Sequence, residues 1–133
     1  MRFTYSAKRS ITAGHSATVQ YDFIIAGARI DQEFDAIREE TISLSGEQES
    51  DLQRIDEMWS CTTDFVETPE RRALFEEFLH SVMGGEQFTF DPDATGASDV
   101  DPHTVVLVSK GVRRRRVGVI SSYTYDLRMR VVA

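Results

Sequence analysis

Residues 68–92, TPERRALFEEFLHSVMGGEQFTFDP, constrain the fold of this chain more than any other stretch. Thr68 can cap a first turn, and Pro69 suits the first helical position, where a missing N–H costs nothing. Glu70 sets an acid against the positive end of the helix dipole. Leu74, Phe75, Phe78, Leu79 and Val82 recur at helical spacing and form one apolar stripe. Gly84 and Gly85 end the helix, since glycine readily takes the left-handed conformation that closes a last turn. Phe88 and Phe90 then alternate with Gln87, Thr89 and Asp91, the period of a strand. Nearly all the remaining chain reads as strand, so this one helix must bury its stripe against a sheet.

Upstream, residues 1–16 hold small and polar residues with weak alternation and read as an arm with a short strand. Residues 17–26 place Val19, Tyr21, Phe23 and Ile25 on one strand face, and Gly27 breaks the run. Residues 28–40 fit either a short helix, with Ile30, Phe34 and Ile37 inward, or an irregular or edge-strand connection. Residues 41–44 read as strand and Ser45-Gly46 as a turn. Residues 52–65 place Ile55, Glu57, Trp59 and Cys61 on one side of a strand and Arg54, Asp56, Met58 and Ser60 on the other. Trp59 reads as core. Residues 104–109, TVVLVS, predict a strand buried on both faces. Near the end, Tyr123, Tyr125, Leu127, Met129 and Val131 alternate with Ser122, Thr124, Asp126, Arg128 and Arg130, the clearest amphipathic strand in the sequence.

The 133 residues suffice for one domain with its own core, 1–133, in which 1–16 forms the arm. No run of 18 apolar residues is present, so no membrane association is expected, and the first residues lack a signal-peptide pattern. The single cysteine, Cys61, reads as a small buried residue and not as a nucleophile. The net charge of −7 is unevenly spread. Residues 110–133 carry seven bases and one acid, or +6, and residues 1–109 carry eight bases and 21 acids, or −13. Such a split fits complementary faces between copies of the chain better than a nucleic-acid surface, because the acidic bulk repels phosphate.

Two stretches carry candidate contact residues. Arg113, Arg114, Arg115 and Arg116 fall in a turn region between Gly111 and Gly118 and are expected to reach an acidic partner. In the loop DPDATGASDVD, Asp91, Asp93, Thr95, Gly96 and Asp99 match the early positions of a calcium loop. The twelfth position is Pro102 where a bidentate Glu is needed, so a solvated acidic loop ending at Asp101 is the better reading. No metal or other cofactor is expected. His15, His80 and His103 have no metal-ligand spacing, and His80 suits the negative end of the helix. No nucleophile elbow, phosphate loop or dinucleotide glycine triplet occurs. Glu76 and Glu77 are adjacent and cannot face each other on a helix, so no acid/base pair is formed. Catalysis is not expected.

The order of segments, ISLSGEQESDLQRIDEMWSCTTD, one helix, GGEQFTFDP and a closing alternating strand, resembles the distal tail and short minor tail proteins of long-tailed bacteriophages. The resemblance spans roughly residues 17–132 and rests chiefly on LFEEFLHSVMGGEQFTFDP following a TTD-ended strand. It implies an α+β, mainly β fold: an antiparallel β-sandwich of tail-tube type with one flanking α-helix at about 69–83. It further implies a virion tail protein, made in the host bacterial cytoplasm, that forms a ring of six copies. Such a ring joins the tail tube to the baseplate or tail tip, and the genome DNA passes through it without specific binding. The acidic stretch 33–40 has no counterpart in the resemblance. The alternative is a small nucleic-acid-binding module that uses the arginine run, with Tyr123 or Tyr125 as stacking groups.

Overall fold

The computed structural model describes residues 1–42, 48–66, 68–118 and 122–132, with side chains given outside 37–54 and 117. Among the described residues the fold is mainly β with a single helix. In chain order the elements are β1 (Arg2–Ser6), β2 (Gln20–Ile24), β3 (Gly27–Ile42), β4 (Gln48–Thr63), α1 (Pro69–Val82), β5 (Phe88–Asp91), β6 (His103–Val117) and β7 (Ser122–Val131). All seven strands pair antiparallel in one sheet of order β2-β1-β5-β6-β7-β4-β3.

That order forces the sheet to curl. β2 and β3 are its two edges, yet only Ile25 and Ala26 lie between them in the chain. The three Cα–Cα steps from Ile24 to Gly27 span at most about 11 Å, so the edges must come together, and the Asp64 N–H, donating to the Ala26 carbonyl at 2.8 Å, carries the β3–β4 pairing into this link. Trp59 on β4 meets Phe90 on β5 at 5.7 Å between ring centroids. Flat, those strands would stand about 14 Å apart, three spacings of the sheet. The layers of the expected sandwich are thus parts of one continuous curled sheet.

Helix α1 forms as its sequence dictates. The Thr68 hydroxyl accepts from the Arg71 N–H at 3.3 Å, Pro69 opens the helix and Gly85 follows its last turn at φ 89°. Phe75 packs on Phe23 of β2 at 5.0 Å and on Tyr125 of β7 at 4.7 Å, so one ring ties strands from opposite regions of the sheet. Phe78 packs on Phe3, Tyr5 and Phe88. Tyr125, Leu127 and Met129 are buried, as the alternation of β7 predicts.

The amino-terminal segment differs from an arm. β1 pairs with β2 on one side and β5 on the other, and Phe3 is fully buried among four phenylalanine rings. Its short apolar alternation, Met1, Phe3, Tyr5, was outweighed in the sequence by the polar residues that follow. Those residues form a connection bound to α1. Glu77, buried on the helix, accepts from the Thr12 N–H at 2.8 Å and pairs with His15 at 2.7 Å. Burial pushes the Glu77 carboxyl up, but these hydrogen bonds outweigh it and hold the group below the usual carboxylate range. Arg9 donates to the carbonyls of His80 and Ser81 at the helix end and pairs with Glu86.

Residues 28–40 are resolved in favour of the edge strand, not the helix: they belong to β3, paired with β4 along nearly its whole length. Ser45-Gly46 lies outside the described residues. Residues 104–109 are not buried on both faces. Val105 is fully buried and Leu107 packs half-buried against the same core, whereas Val106 and Val108, on the other face of β6, are only half-buried.

Candidate subunit-contact surface

Arg113, Arg114, Arg115 and Arg116 do not lie in a turn. They belong to β6, opposite Asp126, Tyr125, Thr124 and Tyr123 of β7. Gly111 was read as a turn glycine, yet it closes a bulge: Leu107 pairs with Met129 and Val112 with Leu127, so residues 108–111 oppose Arg128 alone. Lys110 takes a positive φ of 58° there, and a Cβ on Gly111 would lie 2.7 Å from the Arg128 carbonyl oxygen.

Strand alternation divides the arginine run between two faces. Arg114, on the helix side, donates to Glu76 of α1 at 2.7 Å and lies 4.6 Å over the ring of Tyr123. The Tyr125 hydroxyl donates to the same Glu76 carboxylate at 3.1 Å, and burial pushes its phenol up to about 12, with Glu76 adding to the shift. Arg114 is therefore already partnered within the chain. Arg113 and Arg115 point to the opposite, helix-free face of the sheet, together with Arg128 and Arg130 of β7. Beside the bulge, Arg29, Lys110, Arg113, Arg115 and Arg128 line an open cleft of about 380 Å³. Its acids are Asp31 and Asp126, which pair with Arg29 at 2.8 Å and Arg115 at 3.0 Å. Among the described residues, Lys110, Arg113 and Arg128 form no ion pair.

The aspartate loop is built differently from a solvated contact loop. Asp91 is fully buried, and its carboxylate accepts from the N–H groups of Asp93, Ala94, Val100 and Asp101 at 2.8 to 3.3 Å. Burial raises its pKa, but four backbone donors outweigh that and hold it below the ordinary aspartate range. Arg2 of β1, itself buried, donates to the Gly96 carbonyl at 3.1 Å and pairs with Asp99. Backbone donors thus hold Asp91, and a guanidinium holds Asp99, from within the chain. Asp101 pairs with His103 at 3.0 Å, and of the four predicted aspartates Asp91 is inaccessible to any partner. Among the described residues no cluster of three His, Cys, Asp or Glu is placed to hold a metal ion, and no helix is long and apolar enough to cross a membrane.

The longest feature of the molecule is the hairpin of β3 and β4, 16 residues in each strand. Only Met58 to Thr62 of β4 pair with β7, so residues 48–57 run on with β3 as a two-stranded ribbon. Ten residues at strand rise extend it about 34 Å past the sheet. The ribbon continues the inner face with Phe34 and Ile55, 67% and 59% exposed, because none of the described residues covers them. On its other face Asp35 is exposed, as is Glu33 at the point where the ribbon leaves the sheet.

A curled antiparallel sheet, one helix and a projecting ribbon make a combination that can be compared with solved structures. The fold resembles that of tail-particle chains. A chain from the tail of an empty gene transfer agent particle, refined with C6 symmetry, matches with a TM-score of 0.51 at 15% identity, over 83% of this chain and 80% of that one. A chain from the virion of a native gene transfer agent particle matches with a TM-score of 0.50 at 17% identity, over 82% of each chain. No protein-family model and no curated protein matches the sequence. At these identities the likeness establishes the fold, and the surfaces must be argued from this chain's own residues.

Several of those residues escape a reading of the arginine run alone. Arg29, Lys110 and Arg128 join Arg113 and Arg115 only because β3, β7 and β6 lie side by side around β4 and the bulge. The alternation of β7 already set Arg128 and Arg130 on its polar face, but strand order supplies their neighbours. The stacking role considered for Tyr123 and Tyr125 is closed off: Tyr125 is 1% exposed, and the guanidiniums of Arg72 and Arg114 lie over Tyr123.

Proposed function

We propose that this chain is a structural subunit of a phage-like tail, forming a ring of six copies that joins the tail tube to the baseplate or tail tip. The ring surrounds the channel through which DNA passes, and the chain acts by its shape and charged faces. Its place is the virion tail, after synthesis in the host bacterial cytoplasm. The observation that carries this reading is the fold shared with a chain of a C6-symmetric tail, combined with a ribbon that a lone subunit leaves uncovered. An isolated two-stranded hairpin has little stability in water, so a ribbon of this length fits an assembly in which neighbours cover it. A ring needs head-to-tail contacts between two different patches, and the acidic ribbon and the arginine-rich sheet face are two such patches. Arg113, Arg115 and Arg116, with Asp93, Asp99 and Asp101, remain on accessible surface for contacts with neighbouring copies or tail proteins.

Electron microscopy of the purified protein tests this reading. Annular particles with sixfold symmetry and an open centre are expected. Dispersed single subunits under all assembly conditions contradict it.

A further inference from the structure

Resting on the ring reading, we infer that the acidic β3–β4 ribbon of one copy docks on the helix-free face of β6 and β7 of the next, with Glu33 and Asp35 meeting Arg113 and Arg128. The distribution of charge leads to this pairing. Residues 33–57 contain nine acids and two bases, a net −7. The remaining residues contain 13 of each, so residues 33–57 carry the whole net charge of the protein. Past Phe34 and Glu57 the ribbon has no β7 partner, so most of its length lies clear of its own basic face.

The receiving face is equally one-sided. Five cations and two acids line the cleft beside the bulge, and both acids are already paired, so among the described residues Lys110, Arg113 and Arg128 form no ion pair. Arginine suits an acidic partner, because its planar fork takes a carboxylate through two parallel hydrogen bonds. A DNA duplex fits less well. Arg128 also borders a second depression lined by Glu33, Asp35 and Asp56, so a phosphate backbone lying along this face would meet carboxylates at once. A ribbon held by its own neighbour avoids that repulsion, since the carboxylates of each copy are taken up by the arginines of another.

Two charge-reversed proteins test the docking, Glu33→Lys/Asp35→Lys and Arg113→Glu/Arg128→Glu. All four positions are exposed, and circular dichroism and thermal melting establish that each variant folds as the parent does. Sedimentation velocity at low salt then reads association. Each variant alone is expected to self-associate at least about tenfold more weakly than the parent. An equimolar mixture is expected to assemble again, because alternating copies restore every contact, reversed at one junction and native at the next. Sixfold rings that persist in either variant overturn the docking and leave the ring reading standing. Variants that fail alone and also fail when mixed overturn it too. An Arg113→Glu/Arg128→Glu protein that assembles normally but loses binding to a short DNA duplex assigns the face to nucleic acid. A parent chain that never self-associates overturns both readings.

Discussion

Arg114 on β6 reaches Glu76 on α1 at 2.7 Å, which engages one of four consecutive arginines inside the subunit and leaves its sequence neighbours Arg113 and Arg115 on the opposite face of the sheet. The same arginine covers the ring of Tyr123. Both groups of the ion pair are part-exposed, so the contact is screened by solvent. We expect Arg114→Ala to cost about 1 kcal/mol, a fall in melting temperature of roughly 3–5 °C, with the ion pair and the ring contact contributing together. Self-association should be unchanged, in contrast to substitutions at Arg113.

Asp91 organises its loop through four backbone donors. Asp91→Ala leaves those N–H groups without their acceptor in a buried place, and we expect a loss of about 3 kcal/mol in urea unfolding. The pH dependence follows from a folded-state pKa held below the unfolded value. The stabilisation is complete above the unfolded aspartate range and is lost as pH falls through the depressed folded value. The acid limb of the stability curve should therefore flatten in the variant.

The sequence made α1 fully legible, because a cap, a proline, a five-residue stripe and a terminating glycine pair all agree on one helix. The alternation of β7 and of residues 55–61 was legible for the same reason: one period, sustained. β1 was not, since three alternating residues before a polar run carry too little signal. The position of Arg113 to Arg116 was also hidden. Flanking glycines usually mark a turn, but Gly111 serves a bulge inside a strand, which only the pairing with β7 reveals. The cleft depends on strand order, and strand order is a property of long-range pairing that local patterns do not encode. The calcium-like spacing of the aspartates has a physical basis of another kind. Asp91 gathers backbone donors, and Arg2, 89 positions before it, supplies the cation.

Gly111 allows the bulge that shapes the basic cleft. Because a Cβ there would collide with two backbone carbonyl oxygens, Arg128 at 2.7 Å and Val108 at 2.8 Å, neither can yield as a side-chain end would. We expect Gly111→Ala to destabilise the fold by about 2 kcal/mol, read by thermal melting, and to weaken self-association beyond that loss by moving Lys110 and Arg128.

Cys61 is buried beneath the β4–β7 pairing, and burial pushes its thiol up to about 12, with Asp126 adding to the shift. Thiolate, not thiol, reacts with alkylating reagents. In the folded protein at mildly alkaline pH, labelling by iodoacetamide should run at least about a hundredfold slower than in urea, because the thiol is both buried and held protonated. Fast labelling of the native chain would mean that β4 opens locally.

The proposed subunit completes itself by contact with its own copies through charged surfaces. Light scattering of the purified protein at low and high salt measures this most directly. A discrete mass of six chains at low salt that falls toward the monomer as salt rises is the predicted result, since screening weakens exposed ion pairs. A monomer mass at every concentration and every salt level would contradict it.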